Sequence, residues 1–260
     1  DRSAAVYVVS ASEPFKFESK EWKFPIVGSF PYLGWFNLGM ARDYAKELKS
    51  EGLDVDLRGA RAYSTLGWFR DSVLSTMIPE GDEARGDLVN VVIHESVHAT
   101  VYIYGQAYFN ESLANYVAGV MTPIYLEQKS GKDAPELVAY LKDEAEGKEN
   151  EKLFHEAYVS LDTLYKSGKP KDQMLEEKQK ILTALQDKVK WKREINNATL
   201  IQFKTYNEGT PEFDTVFQAC GKDVERFMSV MKTVKDSSFT QPQQNNLGPV
   251  LLPLAQTCKK

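Results

Sequence analysis

What this chain has little of narrows it first. Among 260 residues there are two cysteines, Cys220 and Cys258, too few for a disulfide scaffold or a thiolate zinc site. They either pair with each other or stand as two core thiols. Closing a loop of that length stabilises by about 4 kcal/mol, and only in an oxidising compartment. No apolar run approaches the roughly 18 residues of a membrane helix, and the greasiest stretch, residues 248–255, is interrupted by Pro249 and Pro253. No cluster of Lys and Arg is free of interleaved acids, and a formal charge of −5 opposes the basic face that phosphate neutralisation needs, so no nucleic-acid partner is expected. The chain starts at Asp1 without a methionine, a basic n-region or an apolar h-region, so any export signal has been removed or was never there. Internal repeats and low-complexity tracts are absent. Histidine is scarce as well, with three in the chain: His94, His98 and His155.

What is there is the composition of a globular protein, 42% hydrophobic and 27% charged, long enough for one large domain or two small ones. Val6 to Val9 alternates weakly, and residues 14–36, rich in proline and aromatics, read as extended structure and turns. A helix is expected over 38–48, stopped at Gly52, and a short strand over 53–57, where Val55 stands between two aspartates. Tyr63, Ser64, Thr65, Leu66, Gly67, Trp68 and Phe69 combine strand formers with a glycine, as either an exposed strand that something approaches closely or a buried strand rich in aromatics would. Helical patterns follow over 83–104, 110–129, 135–166, 171–206 and 211–235, punctuated by Gly and Pro. The organisation expected is an N-terminal mixed part over 1–84, two helices carrying the site over 85–130, a helical part over 131–235 and an irregular tail over 236–260. The mixed-sign runs 142–152 and 169–180 read as solvated helix faces.

One segment carries chemistry. His94-Glu95-Ser96-Val97-His98 is H-E-x-x-H inside an apolar-periodic helix, with Leu88, Val91, Val92 and Val101 as the expected buried stripe and Gly105 as the expected C-cap. Residues four apart lie about 40° apart around a helix, so the two imidazoles can share one Zn2+, and Glu95 can serve as the general base for an attacking water. Thirteen residues beyond His98 comes Glu111, in Phe109-Asn110-Glu111-Ser112 at the opening of the next helix. A tight turn at Gly105 would return that carboxylate as a third ligand and leave a fourth position open. The alternative is two core histidines and a carboxylate favoured by the helix dipole. Asn110-Glu111-Ser112 is also a glycosylation sequon, read here as coincidence.

These residues carry a resemblance. The stretch Arg58-Gly-Ala-Arg-Ala-Tyr-Ser-Thr-Leu-Gly-Trp-Phe-Arg-Asp-Ser-Val-Leu-Ser-Thr-Met77, the H-E-x-x-H segment and Phe-Asn-Glu-Ser at 109–112 resemble the bacterial predicted zinc aminopeptidase family. These are gluzincin-like metallopeptidases, often exported and frequently lipid-anchored. Similarity continues at 31–36, at Asn196-Asn197-Ala198 with Thr205-Tyr206-Asn207, and at 220–227. Ser72 departs from the pattern, standing where the family usually has proline, and the upstream segment with an anchoring cysteine is absent.

The resemblance implies a mainly α (α+β), zincin-like metallopeptidase with a small β-containing N-terminal part and a helical C-terminal half. It implies Zn2+ on His94, His98 and Glu111, Glu95 as general base, and a peptide substrate held by strand addition along Tyr63, Ser64, Thr65, Leu66 and Gly67. Tyr206, or the Asn196-Asn197 pair, would supply an oxyanion donor. Asn115, four residues after Glu111, stands where the class often has an acid and would orient a ligand histidine more weakly. A group to hold a substrate amine is open between Asp71, Glu80 and others. Localisation in the periplasm or at the outer membrane of a bacterium is expected, with any lipid anchor upstream. Two other readings stay open: a zinc-containing binding or scaffolding protein without turnover, and a zinc hydrolase of non-peptide amides.

Overall fold

The first strand, β1 (Val6–Ser12), is buried along almost its whole length, which suits a β-branched run at the centre of a sheet. It lies between β4 (Leu33–Trp35) and β5 (Asp54–Ala60), antiparallel to both, with Val6 opposite Ala60 and Ser12 opposite Asp54. A second pair, β2 (Trp22–Phe24) and β3 (Gly28–Phe30), is also antiparallel. Helix α1 (Leu38–Ser50) starts at Asn37, whose side chain accepts from the Met40 N–H, and buries Ala41, Ala45 and Leu48 against Val9, Ala11 and Val55. The structure, a computed structural model, describes residues 4–24, 28–62, 72–78, 80–82 and 84–258.

The rest is helical: α2 (Ala84–His98), α3 (Ala107–Ser130), α4 (Pro135–Tyr165), α5 (Lys171–Val189), α6 (Asn197–Asn207), α7 (Thr210–Ala219), α8 (Val224–Met231) and the short α9 (Gly248–Leu251) and α10 (Leu254–Cys258). The protein is thus mainly helical with a small antiparallel sheet near its N-terminus. None of the described helices is long and apolar enough to cross a membrane.

Two compact units form, each from two separate stretches of chain: Asp1–Arg61 with Lys142–Lys204, and Ala62–Leu141 with Thr205–Lys260. The first holds the sheet with α1 and a helical core around Phe154, Leu161, Leu182 and Leu200. The second holds a core around Phe109, Leu113, Phe213, Phe227 and Met231.

Several helical expectations are corrected. The pattern over 171–206 is two helices, because Lys190 turns left-handed (φ 54°) and Asn196 caps α6, its side chain accepting from the Thr199 N–H. The pattern over 211–235 breaks at Gly221 and Lys222, both at positive φ, before Asp223 caps α8. The run 169–180 is not wholly solvated: Lys178 is buried, and its Nζ donates to Asp54 Oδ2 at 2.5 Å and to the Pro14 carbonyl at 2.8 Å. A helical stripe of mixed charges cannot reveal which lysine finds a carboxylate 124 residues away. Asp56, the other neighbour of Val55, is buried against Arg193; burial raises its pKa and the guanidinium offsets only part of that.

The tail, irregular over 239–247, also carries a 3-10 turn at Asp236–Ser238 and the helices α9 and α10. Cys220 and Cys258 are bonded, with Cα atoms 4.7 Å apart, and the intervening chain places Leu247, Val250 and Leu251 in the second unit's core. Replacing Cys258 with serine therefore opens a buried loop. Chemical denaturation of this variant should show a loss of about 2–5 kcal/mol, and an unchanged midpoint would mean that the bridge contributes nothing to the folded state.

Candidate metal centre

The second unit positions the H-E-x-x-H helix by close approach. A Cβ at Gly86 would lie 2.7 Å from Tyr140 Cδ2 and 2.9 Å from Tyr140 Cβ, so only glycine lets α2 pass this ring. One turn on, Asn90 Nδ2 donates to the Tyr140 hydroxyl at 2.9 Å. Gly86→Ala is expected to cost about 1–3 kcal/mol by overpacking, somewhat relieved by alanine's better helix propensity. A thermal midpoint at or above that of the parent protein would show that the contact is slack.

The helix ends at His98, six residues before the expected end, and Val92 of the expected stripe is exposed, while Val97 and Val101 are buried. The early stop has a local cause. Asn110, fully enclosed at the start of α3, accepts from the Ile103 N–H (2.8 Å) and donates to the Ile103 carbonyl (2.7 Å), taking both backbone groups away from a continuing helix. Gly105 does turn left-handed (φ 71°), as the connection to α3 rather than as a cap on α2. With both polar ends of Asn110 occupied and buried, the sequon has no acceptor amide to offer in the folded chain.

The return brings Glu111, just past the first turn of α3, onto the histidine face. His94 Nε2 and His98 Nε2 are 3.0 Å apart, and Glu111 Oε2 lies 3.3 Å from the first and 3.5 Å from the second. Three ligands each at the usual 2.0–2.1 Å from a tetrahedral zinc ion stand roughly 3.3 Å from one another, so this triangle has the size and the donor chemistry of a three-ligand site. Its side chains are 14%, 4% and 15% exposed, respectively, which leaves the cluster enclosed but reachable. Among the described residues His94, His98 and Glu111 are a group that could hold a metal ion.

The electrostatics fit such a group. Burial by itself would push the Glu111 carboxyl up, but the hydrogen bonds and charges of His94 and His98 outweigh it and hold the group at about 2. For His98, burial lowers the pKa, yet contact with Glu111 and the charge of Glu95 raise it on balance. The carboxyl of Glu111 is therefore ionised, as a ligand requires.

Around the cluster, Glu95 is half-buried on α2 next to His94. Tyr102 places its ring edge-on to His98, with centroids 6.3 Å apart, and its phenol is pushed upward by burial and then by the charge of Glu111. It lies beyond the end of α2, so no helical spacing marks it in the sequence. Asn115 is half-buried on α3, and the Nδ1 of His98 is buried without a hydrogen-bond partner among the described residues. The side chains of Asn196 and Asn197 are engaged in the packing of the first unit. Asn196 caps α6 and bonds the Val55 carbonyl, and Asn197 ties Tyr165 to the Glu13 carbonyl within the first unit. The proposed substrate strand, Tyr63, Ser64, Thr65, Leu66 and Gly67, lies outside the described residues, as do Asp71 and the side chain of Tyr206. Glu80 is exposed.

Fold and site together define a mainly helical protein with a candidate metal centre of two histidines and a glutamate. The family model described as "Putative aminopeptidase" matches residues 1–246, and the chain belongs to that family. Searches of curated proteins and of solved structures return no match.

Proposed function

We propose that the protein is a zinc-dependent aminopeptidase of the gluzincin type with a zincin-like active-site core. The observation that carries this reading is the 3.0, 3.3 and 3.5 Å triangle of His94, His98 and Glu111 donor atoms, in a chain whose family is described as an aminopeptidase family. These three residues would hold the ion. When bound, zinc supplies Lewis acidity, polarising a peptide carbonyl and acidifying water. Glu95 takes the proton of the attacking water and passes it to the departing amine. Its carboxylate adds nothing to the triangle, so its place beside His94 favours turnover over a purely scaffolding zinc site. Tyr102, exposed beside His98, offers an O–H to the oxygen that gains charge as the carbonyl becomes tetrahedral, a role open also to Tyr206. The bonded Cys220–Cys258 pair supports residence in an oxidising compartment, which for a bacterial protein means the periplasm or the outer-membrane surface.

Metal analysis combined with digestion of a peptide library, with free and acetylated N-termini side by side, tests the reading. One zinc per chain and cleavage that requires the free amine are expected. Cleavage of both pools alike would make it an endopeptidase, and a zinc-loaded chain that cleaves neither would favour a scaffolding protein or a hydrolase of other amides.

A further inference from the structure

The start of α3 lacks a cap of its own. Gln106, at the N-cap position, makes no side-chain cap bond. Its amide reaches instead into the tail, where Nε2 donates to the Gln241 carbonyl (2.9 Å) and Oε1 accepts from the Gln244 N–H (3.0 Å). The tail answers with two more bonds: the Gln243 N–H donates to the Gly105 carbonyl (2.8 Å), and Gln243 Oε1 accepts from the Ala107 N–H (2.9 Å). An orphan donor at a helix N-terminus is thus satisfied by a residue 136 positions away. Gln243 does this from a left-handed backbone, φ 49°, which a side-chain-bearing residue adopts at a cost. The segment is pinned on either side, by Phe239 against Phe109 (centroids 5.5 Å apart) and by buried Leu247. Its four bonds converge on residues 105–107, between the histidine helix and the carboxylate that completes the triangle.

We propose that Gln243 and Gln106 are positioning residues for Glu111: the 241–244 strap fixes where α3 begins, and so fixes the carboxylate against His94 and His98. This rests on reading those three side chains as a metal site. A helix turns about 100° per residue, so a start that slips or frays swings Glu111 off the histidine face. Partners behind metal ligands are typically worth 10- to 100-fold in metal affinity. The strap reaches Glu111 through the backbone of its helix rather than through its side chain. It explains why a glutamine holds a backbone conformation better suited to glycine, since only a side chain can cap Ala107.

The test exploits that choice. Gln243→Gly removes the cap oxygen and relieves the left-handed backbone, so the fold is expected to keep its thermal midpoint while zinc affinity, measured by competition with a chromogenic chelator, drops about 10- to 100-fold. The visible absorption of the Co2+-loaded chain should change with it. Gln243→Glu, which keeps an acceptor oxygen for the Ala107 N–H, should restore affinity and spectrum. Gln106→Leu removes the two bonds from the other side and should weaken zinc to a similar degree, which serves if Gln243→Gly does not fold. Parental zinc affinity and an unchanged Co2+ spectrum in either folded variant would overturn the proposal. Glu111→Ala, run alongside, separates the two ideas. If it loses zinc while Gln243→Gly keeps it, the strap proposal alone is wrong; if Glu111→Ala also keeps zinc, the metal-site reading itself is wrong.

Discussion

Replacing Glu95 with glutamine is expected to leave about one zinc per chain and to lower turnover by roughly 100-fold or more, in the range general-base catalysis commonly supplies. The two parts of that result have separate origins. The donor triangle is closed by His94, His98 and Glu111 without Glu95, so removing its charge leaves the ligand set intact. Gln is nearly isosteric with Glu and keeps a hydrogen-bonding carbonyl at the same position on α2, so α2 and the return to α3 should stand. What the variant lacks, on the proposed reading, is the basic oxygen that would accept the proton of the attacking water. Steady-state peptide hydrolysis and metal analysis on the same preparation decide the matter. Full activity with zinc present would remove Glu95 from the reaction, whereas loss of zinc together with activity would move Glu95 from the chemistry to the ligand set.

Glu111→Ala carries the second large effect: near-complete loss of stoichiometric zinc, against retention in His155→Ala. His155 is exposed on α4 within the first unit and is not among the grouped donor atoms, so with three histidines in the chain the third donor must be a carboxylate if the site exists. Equilibrium dialysis against Zn2+ reads both variants, and zinc retained by Glu111→Ala but lost by His155→Ala would sink the assignment.

The metal-free chain gives an independent check through pH. Glu111 is lowered from 4.5 to about 2 in the folded state, so its contribution to stability is present above 4.5 and lost as pH falls towards 2. His98 is raised from 6.5, so its contribution is present below 6.5 and lost as pH climbs through the raised value. The two overlap between 4.5 and 6.5. The stability gap between the metal-free parent and Glu111→Gln should be widest there and narrow on both sides. A gap independent of pH would mean that the carboxylate and His98 are not paired.

How much of this could be read from the sequence differs by element, for physical reasons. His94 and His98 were legible because both sit on one helix, where spacing alone sets direction. Glu111 was legible because the connection to it is short. Helix α1 and strand β5 follow from local periodicity and cap chemistry. The strap was illegible: Gln241 and Gln244 meet Gln106, and Gln243 meets Gly105 and Ala107, across about 135 residues, and a run of amides carries no period. Lys178 looked like any lysine on a charged face, since its burial depends on Asp54 and the Pro14 carbonyl. The early end of α2 needed Asn110 to reach back to Ile103, and a sequence shows only that both residues exist.

The interleaving of the two units bears on how the chain matures. A polypeptide emerging N-terminus first presents the sheet and α1 early, but the first unit lacks half its residues until Lys204 has been made. The second unit has begun by then and is closed only once Cys258 has been made and meets Cys220. The candidate zinc ligands thus exist as a ribosomal product well before the 241–244 segment and the bridge that surround them, and a nascent chain halted near residue 235 would carry His94, His98 and Glu111 without the partners that hold the start of α3. The strap is thus made after all three candidate ligands, and a truncation that falls between residues 111 and 241 leaves a chain with His94, His98 and Glu111 and none of the strap.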